Sequence, residues 1–262
     1  MLGKLLKYDL KWCFKPLVVF YILAIIFSII TRMIESVDQT LILLIMDKIC
    51  SGVVIAMLIN ILINCLMRNW VRFERNIYKD ESYLTHTLPV SKNKIYLSKI
   101  LTAIITLFVS FIIIVICLAI VCLNDITWYS LKLSLEQSAI FLNSSPLSLI
   151  IVLIITIFFE FLFMILSGIL GIVIGHRSNN MKIVKSILIG MGIYMGLSLF
   201  SLAIIYMAGI LSPDIMSVFN NIKVSSNAIK SIMIIGIFVY AIYNLMIYFI
   251  GNALLNKGIN VD

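Results

Sequence analysis

Long runs of apolar residues are the feature that most constrains how this chain can fold. Residues 100–123 contain no charged side chain, and five other runs of comparable length are nearly as apolar. A helix needs roughly 20 apolar residues to cross about 30 Å of hydrocarbon. The runs therefore predict membrane-spanning helices rather than the buried segments of a water-soluble domain.

The composition leads to the same fold class. Of the 262 residues, 62% are apolar and only 12% are charged, whereas a soluble domain carries about 25% charged residues to cover its surface. Strands of an outer-membrane barrel alternate apolar and polar residues over about ten positions. The runs in this sequence are continuously apolar and show no such alternation. We therefore predict an all-α, polytopic integral membrane protein with six transmembrane helices, which satisfy their backbone hydrogen bonds internally.

Polar segments separate the six predicted spans within a single transmembrane domain, residues 1–262. The spans are expected at about 16–34, 49–67, 97–123, 147–175, 183–211 and 229–250. The remaining segments are expected to be an interfacial helix at 1–15, a polar loop at 68–96, and loops on the opposite side at 124–146 and 212–228. The mixed pattern of residues 124–146 is compatible with a short interfacial helix.

The first 15 residues place four lysines at helical spacing among leucines and aromatic residues: Lys4, Lys7, Lys11 and Lys15. This pattern predicts an amphipathic helix in the membrane interface, with its cations toward anionic lipid head groups. Pro16 is expected to begin the first span, because proline suits the first turn of a helix. A secretory signal is the alternative, but no small-residue cleavage site follows the apolar run.

The distribution of positive charge predicts the orientation. The net charge is +8, and with both termini on one side, that side holds 15 of the 20 Lys and Arg residues. The opposite side holds Arg32, Lys48, Lys132, Lys223 and Lys230. Because cytoplasmic loops are enriched in Lys and Arg, we expect both termini and the 68–96 loop to be cytoplasmic. The basic balance is thus explained without nucleic-acid binding.

No motif for catalysis or nucleotide binding is present. The sequence lacks a G-x-x-x-x-G-K-[ST] loop, H-E-x-x-H, C-x-x-C and G-x-S-x-G, and its two histidines, His86 and His176, are isolated. The chain is therefore expected to be no enzyme by itself and to bind no metal or cofactor. Any ATP that drives it would have to be hydrolysed by another polypeptide.

Several polar and small residues fall inside predicted spans. Glu160 is the one charge-capable residue deep in a span, where it is costly unless protonated, paired or facing water. It shares a helix face with Ser167, Gly171 and Gly175, and this small-residue row favours close helix packing. Glu160 therefore lines a translocation path or makes an interhelical hydrogen bond. A similar row, Gly192 and Gly196, is predicted to pack against it, and Asn60 and Asn64 are predicted to face another helix.

The polar loop contains a predicted short helix. Asp80 and Glu81 stand where acidic residues favour a helix N-terminus, Tyr83 and Leu84 supply an apolar face, and Pro89 ends the element. Ser91 is expected to cap the helix that continues into the third span. The simplest alternative is an interfacial turn that contacts lipid head groups.

This loop resembles the D-E-x-Y-L-T-x-T-L-P-V-[ST] segment of bacterial ATP-binding-cassette permeases of the second type. The opening LLKYDLKW resembles the N-terminal interfacial helix of the same family. The residues that carry the likeness are Asp80, Glu81, Ser82, Tyr83, Leu84, Thr85, His86, Thr87, Leu88 and Pro89, followed by Val90, Ser91, Lys94, Leu97, Ser98 and Lys99.

The resemblance implies a role for the loop and a set of partners. In that family the short helix, here residues 81–88, is a coupling helix that docks on a cytoplasmic ATP-binding-cassette ATPase. Two ATPase copies, which bind ATP and Mg, would work with two permease subunits, the second being the same as this chain or different. Members export lipids, polysaccharides, drugs or antimicrobial peptides across the bacterial plasma membrane.

The sequence thus favours a permease subunit of an ATP-driven exporter that moves a hydrophobic or amphipathic substrate. A non-transporting membrane sensor or scaffold, docking a cytoplasmic partner through the same loop, is the alternative from a different class. A proton-coupled carrier that uses Glu160 ranks last, because there is one buried carboxylate and no inverted repeat.

Overall fold

The computed structural model describes residues 2–37, 40–87, 89–122, 125–178, 180–220 and 225–257. Every regular element within these ranges is a helix, which confirms the all-α prediction. In chain order the helices are α1 (Leu2–Glu35), α2 (Leu41–Ile77), α3 (Ser82–Thr87), α4 (Lys92–Cys122), α5 (Asp125–Phe141), α6 (Pro146–Gly175), α7 (Lys182–Leu211), α8 (Pro213–Phe219) and α9 (Ser226–Asn256).

Six of these helices, α1, α2, α4, α6, α7 and α9, are long and apolar enough to cross a membrane. Each has 30 or more residues, so each is about 45 Å long or longer and exceeds the hydrocarbon thickness. The chain therefore has the architecture of a multi-pass membrane protein.

Helix ends differ most from the sequence-based expectations in two places. The first helix does not begin at Pro16: α1 is continuous from Leu2 and contains this proline, at the cost of one backbone hydrogen bond to the Trp12 carbonyl. Helix α2 continues past the expected span end at 67 as far as Ile77. Residues 53–88 contain no glycine or proline, so nothing in the local sequence ends the helix where its apolar character ends.

Two further helices occupy segments that were expected to be loops. Helix α5 fills most of residues 124–146, as the mixed pattern there allowed. Helix α8 was not anticipated, although Pro213 in its first turn and Asp214 beside it are typical of a helix start. At the start of α6, the Ser145 side chain accepts a hydrogen bond from the Ser148 amide at 3.2 Å.

The chain divides into two compact units. Unit 1 comprises Met1–Arg72 and Leu97–Ser134, and unit 2 comprises Phe73–Tyr96 and Leu135–Asp262. All five cysteines, which are free thiols, and all three tryptophans fall in unit 1.

Polar groups join the helices within unit 1. The buried stripe of α1 repeats every three or four residues and consists of Asp9, Cys13, Leu17, Tyr21, Ala24, Ser28 and Thr31. The hydroxyl oxygens of Tyr21 and Ser110 lie 2.7 Å apart, and the Asn69 amide donates to the Thr106 hydroxyl at 3.0 Å. Such hydrogen bonds hold helices together where lipid supplies no hydrophobic driving force.

Close backbone contact joins α6 and α7 within unit 2. A Cβ added to Gly171 would lie 2.5 Å from the Gly190 Cα, and one added to Gly175 would overlap Ser186. The α7 residues in this contact are thus Ser186 and Gly190. Gly192 and Gly196, which the sequence suggested, were the wrong pair, because an added Cβ on either meets no atom within 4 Å. Helix α9 packs against α6 and α7.

Candidate functional sites

Helix α3 presents an apolar tip from the polar segment between α2 and α4. Tyr83 and Leu84 are 77% and 67% exposed, whereas Ser82 and Thr85 are each 4% exposed. The element therefore has an inner polar face and an outer apolar one. The described helix comprises the six residues Ser82–Thr87; of the expected range 81–88, Glu81 precedes the helix and Leu88 lies outside the described residues.

Hydrogen bonds to Glu81 fix the start of α3. The Asn76 amide donates to the Glu81 carboxylate at 2.8 Å, and the Glu81 backbone amide donates to the Arg75 carbonyl at 3.2 Å. The Thr85 hydroxyl donates back to the Glu81 carbonyl at 2.9 Å. Glu81 thus holds the turn that orients Tyr83 outward.

The other residues of the predicted coupling segment have simpler surroundings. Asp80 is largely exposed, with its carboxylate 3.9 Å from the Arg75 guanidinium, and the Thr87 hydroxyl donates to the Leu84 carbonyl at 3.0 Å. Pro89 follows the helix and is exposed. Leu88 and the His86 side chain lie outside what the structure describes.

An aromatic cluster holds the base of this segment within unit 2. The Tyr78 ring stacks on His176 at the end of α6, with centroids 4.3 Å apart, and both side chains are buried. Phe73 lies between Tyr78 and Tyr96, at 6.4 and 6.1 Å. The Tyr96 hydroxyl packs directly on Gly251 of α9, where a larger residue would not fit.

Polar and charged groups surround this cluster. His176 Nδ1 donates to the Ile172 carbonyl at 3.0 Å, and its Nε2 lies 3.7 Å from the Glu74 carboxylate, which also meets Lys79 at 3.1 Å. Burial raises the pKa of the Tyr78 phenol, and the Arg177 guanidinium partly offsets that rise. Tyr78 is therefore neutral at physiological pH.

A buried ionic cluster in unit 1 was missed by the sequence reasoning. Asp9 is 2% exposed, and its carboxylate accepts from Arg72 Nε at 2.9 Å, Lys99 Nζ at 2.6 Å and Ser98 Oγ at 3.0 Å. The Trp12 ring lies 5.4 Å from the Arg72 guanidinium carbon, a cation–π distance. One carboxylate thus joins α1, α2 and α4.

The sequence did carry a signal for Asp9. It lies three or four residues from Leu5, Leu6, Trp12 and Cys13, which places it on the apolar face of α1 rather than among the lysines. A carboxylate there needs a partner. The partners themselves are 63 and 90 residues away in sequence, so only the tertiary structure identifies them.

Glu160 lies beside an aromatic cluster in unit 2. Its carboxylate is half-buried and within electrostatic range of the phenols of Tyr194 on α7 and Tyr240 on α9. One turn along α6, Phe163 is fully buried and contacts three tyrosine rings. They are Tyr194 at 5.3 Å, and Tyr240 and Tyr243 at 5.6 Å each.

The remaining intramembrane candidates make local contacts. The Asn64 amide donates to the Asn60 carbonyl at 3.0 Å along α2, and both residues are half-buried. The Ser167 hydroxyl donates to the Met164 carbonyl at 2.9 Å, while the Ser167 carbonyl faces Gly190. Gly171 and Gly175 lie in the α6–α7 contact described above.

Comparisons with protein families, curated proteins and solved structures find no match to this chain.

Proposed function

We propose that this chain is the permease subunit of an ATP-driven exporter, moving a hydrophobic or amphipathic substrate with energy from a separate cytoplasmic ATPase. The observation that carries the proposal is α3, a short helix between two long apolar helices whose exposed tip is Tyr83 and Leu84. These two adjacent apolar side chains are exposed at the tip of a polar segment, and contiguous exposed apolar patches rimmed by polar residues mark interaction sites.

The contacts at the start of α3 are suited to transmitting a movement of this helix to α6. Glu81 holds the start of the helix through Asn76, and the stacked Tyr78 and His176 rings attach the same segment to the end of α6. A push on α3 would therefore reach α6 through buried aromatic contacts rather than through a loose loop. This arrangement favours energy coupling over simple contact with lipid head groups.

The complete assembly would contain partners that this chain lacks. Two ATPase copies would bind ATP and Mg, and a second permease, identical or different, would complete the path through the plasma membrane of a bacterium. In this arrangement both termini and α3 lie in the cytoplasm, and the lysines of α1 meet membrane lipids.

Charge substitutions at the α3 tip test the proposal. The tagged chain is co-expressed with a candidate ATP-binding-cassette ATPase from its own genome and purified in detergent. We expect Tyr83→Glu and Leu84→Glu to reduce the co-purified ATPase at least tenfold, because each buries a charge in an apolar contact. Met181→Glu is the matched control, since Met181 is 75% exposed in the turn between α6 and α7.

Undiminished ATPase association in both α3 variants would contradict the proposal. Reconstituted vesicles then separate a transporter from a sensor or scaffold. A transporter shows ATP hydrolysis that its substrate stimulates and that the α3 variants abolish. Association through α3 without any such stimulation would favour the sensor or scaffold.

A further inference from the structure

The geometry points to a binding site for an amphiphilic organic cation, built by Glu160, Tyr194, Tyr240 and Tyr243 over the buried ring of Phe163. The inference deepens the proposed function, because it names the substrate class as one with a weakly hydrated positive charge. It concerns residues of unit 2 alone.

The site lies near the middle of three long helices. Glu160, Tyr194 and Tyr240 all lie close to the middle of their helices, α6, α7 and α9. Glu160 is about 21 Å from the start of α6 at 1.5 Å per residue. These three side chains therefore lie near the depth at which membrane transporters hold their substrates.

Glu160 places a carboxylate at this depth. A carboxylate at this depth is costly and marks a function unless it is paired. Within the residues that the structure describes, Glu160 makes no hydrogen bond or ion pair, and its electrostatic neighbours are the phenols of Tyr194 and Tyr240. The interhelical hydrogen bond that would explain it structurally is thus absent from that part of the chain.

Aromatic rings gather one turn along α6 from Glu160. Tyr194, Tyr240 and Tyr243 surround Phe163 at centroid distances of 5.3–5.6 Å. The faces of aromatic rings attract cations, and quaternary ammonium groups are bound by such cages. Tyr243 also keeps a buried hydroxyl that has no hydrogen-bond partner in the described residues.

The chemistry selects an organic cation over other ligands. Glu160 repels anions, and one carboxylate with phenol rings offers too few hard oxygen ligands for a bare metal cation. A large cation with spread charge is weakly hydrated and loses little on entering this depth. An apolar tail on the same molecule would contact the surrounding leucine and isoleucine side chains of the three helices.

Equilibrium binding of tetraphenylphosphonium to the purified full chain in zwitterionic lipid nanodiscs tests the inference, with empty nanodiscs subtracted. We expect saturable binding to the wild type and at least tenfold weaker binding to Glu160→Gln. Asp214→Asn, which changes an exposed carboxylate in the same unit, should bind as the wild type does. Tetraphenylborate, equal in size and opposite in charge, should show no saturable binding.

A second pair of variants covers the case in which Glu160→Gln fails to fold. Tyr240→Leu removes the ring and should weaken binding several-fold, whereas Tyr240→Phe keeps the ring and should stay within about twofold of the wild type. The inference is overturned by wild-type affinity in Glu160→Gln, by equal binding of tetraphenylborate, or by no saturable binding of the phosphonium. These experiments need no ATPase, so their failure is distinct from a failure of α3 to bind one.

Discussion

Replacing Asp9 with asparagine should destabilise unit 1 far more than replacing Lys99 with methionine. Both residues belong to the same buried cluster, with side chains 3% and 4% exposed. Asparagine keeps the size of aspartate but removes its charge. The Arg72 and Lys99 cations then remain buried without the carboxylate that they share.

The expected magnitudes follow from the composition of the cluster, which holds one anion and two cations. Removing one partner of a buried ion pair costs about 3–5 kcal/mol, so we assign that range to Asp9→Asn. In Lys99→Met the carboxylate still accepts from Arg72 and Ser98, and methionine refills the volume of the lysine stem. We expect that variant to lose about 1–2 kcal/mol, close to one charged hydrogen bond.

Thermal unfolding in detergent with a thiol-reactive fluorogenic dye measures the difference. The dye reports on unit 1 because all five cysteines lie there, and Cys13, Cys65 and Cys117 are fully buried. At about 2–4 °C per kcal/mol, Asp9→Asn should lower the unfolding temperature by about 6–20 °C. Asp214→Asn, at an exposed site in unit 2, should change it by little.

Equal losses in Asp9→Asn and Lys99→Met would refute this reasoning, as would a larger loss in Lys99→Met. Either result would mean that the carboxylate is not the centre on which the two cations depend. A double variant that removes both side chains should be less destabilised than the sum of the single variants, because the two residues share a contact.

Two further predictions concern unit 2. Gly171→Ala should lower the free energy of unfolding by about 1–3 kcal/mol, because the added methyl group overpacks against Gly190. Gly192→Ala should raise it by up to about 1 kcal/mol, because alanine is the better helix former and its methyl group meets no neighbour. Thermal melts followed by circular dichroism at 222 nm measure both changes, and equal effects would contradict the contact between Gly171 and Gly190. Burial raises the pKa of the Tyr78 phenol above its ordinary value of 10.0. Above about pH 10 the folded state therefore keeps a proton that the unfolded state releases. This group leaves the free energy of unfolding unchanged below about pH 10 and lowers it above that pH. Tyr78→Phe should reduce that alkaline loss in denaturant titrations, and an identical loss in both proteins would contradict the assignment.

The sequence predicted the six long apolar helices well because hydropathy over about 20 residues is a local property. Helix ends were predicted less well: α2 continues to Ile77 because no residue there breaks a helix, and apolar character does not measure helical length. Helix α8 was missed, since seven residues are too few to show a period.

The candidate sites were predictable only in part, because most of their contacts join distant segments. Glu160 stood out in the sequence as a lone charge, but nothing local indicated that Tyr194 and Tyr240 would lie beside it. Asp9 had a readable signal in its position on the apolar face of α1. Its partners Arg72 and Lys99 looked like ordinary loop cations until the structure brought them to it.

Helix α6 carries His176 at its end and Glu160 sixteen residues earlier, and the helix is continuous between the two positions. It can therefore act as a lever arm. With about 24 Å between the two positions, a tilt of about 10° at the His176 end displaces the Glu160 end by about 4 Å. That displacement exceeds the length of a hydrogen bond, so a small rotation where Tyr78 touches α6 is enough to open or close the surroundings of a carboxylate near mid-helix.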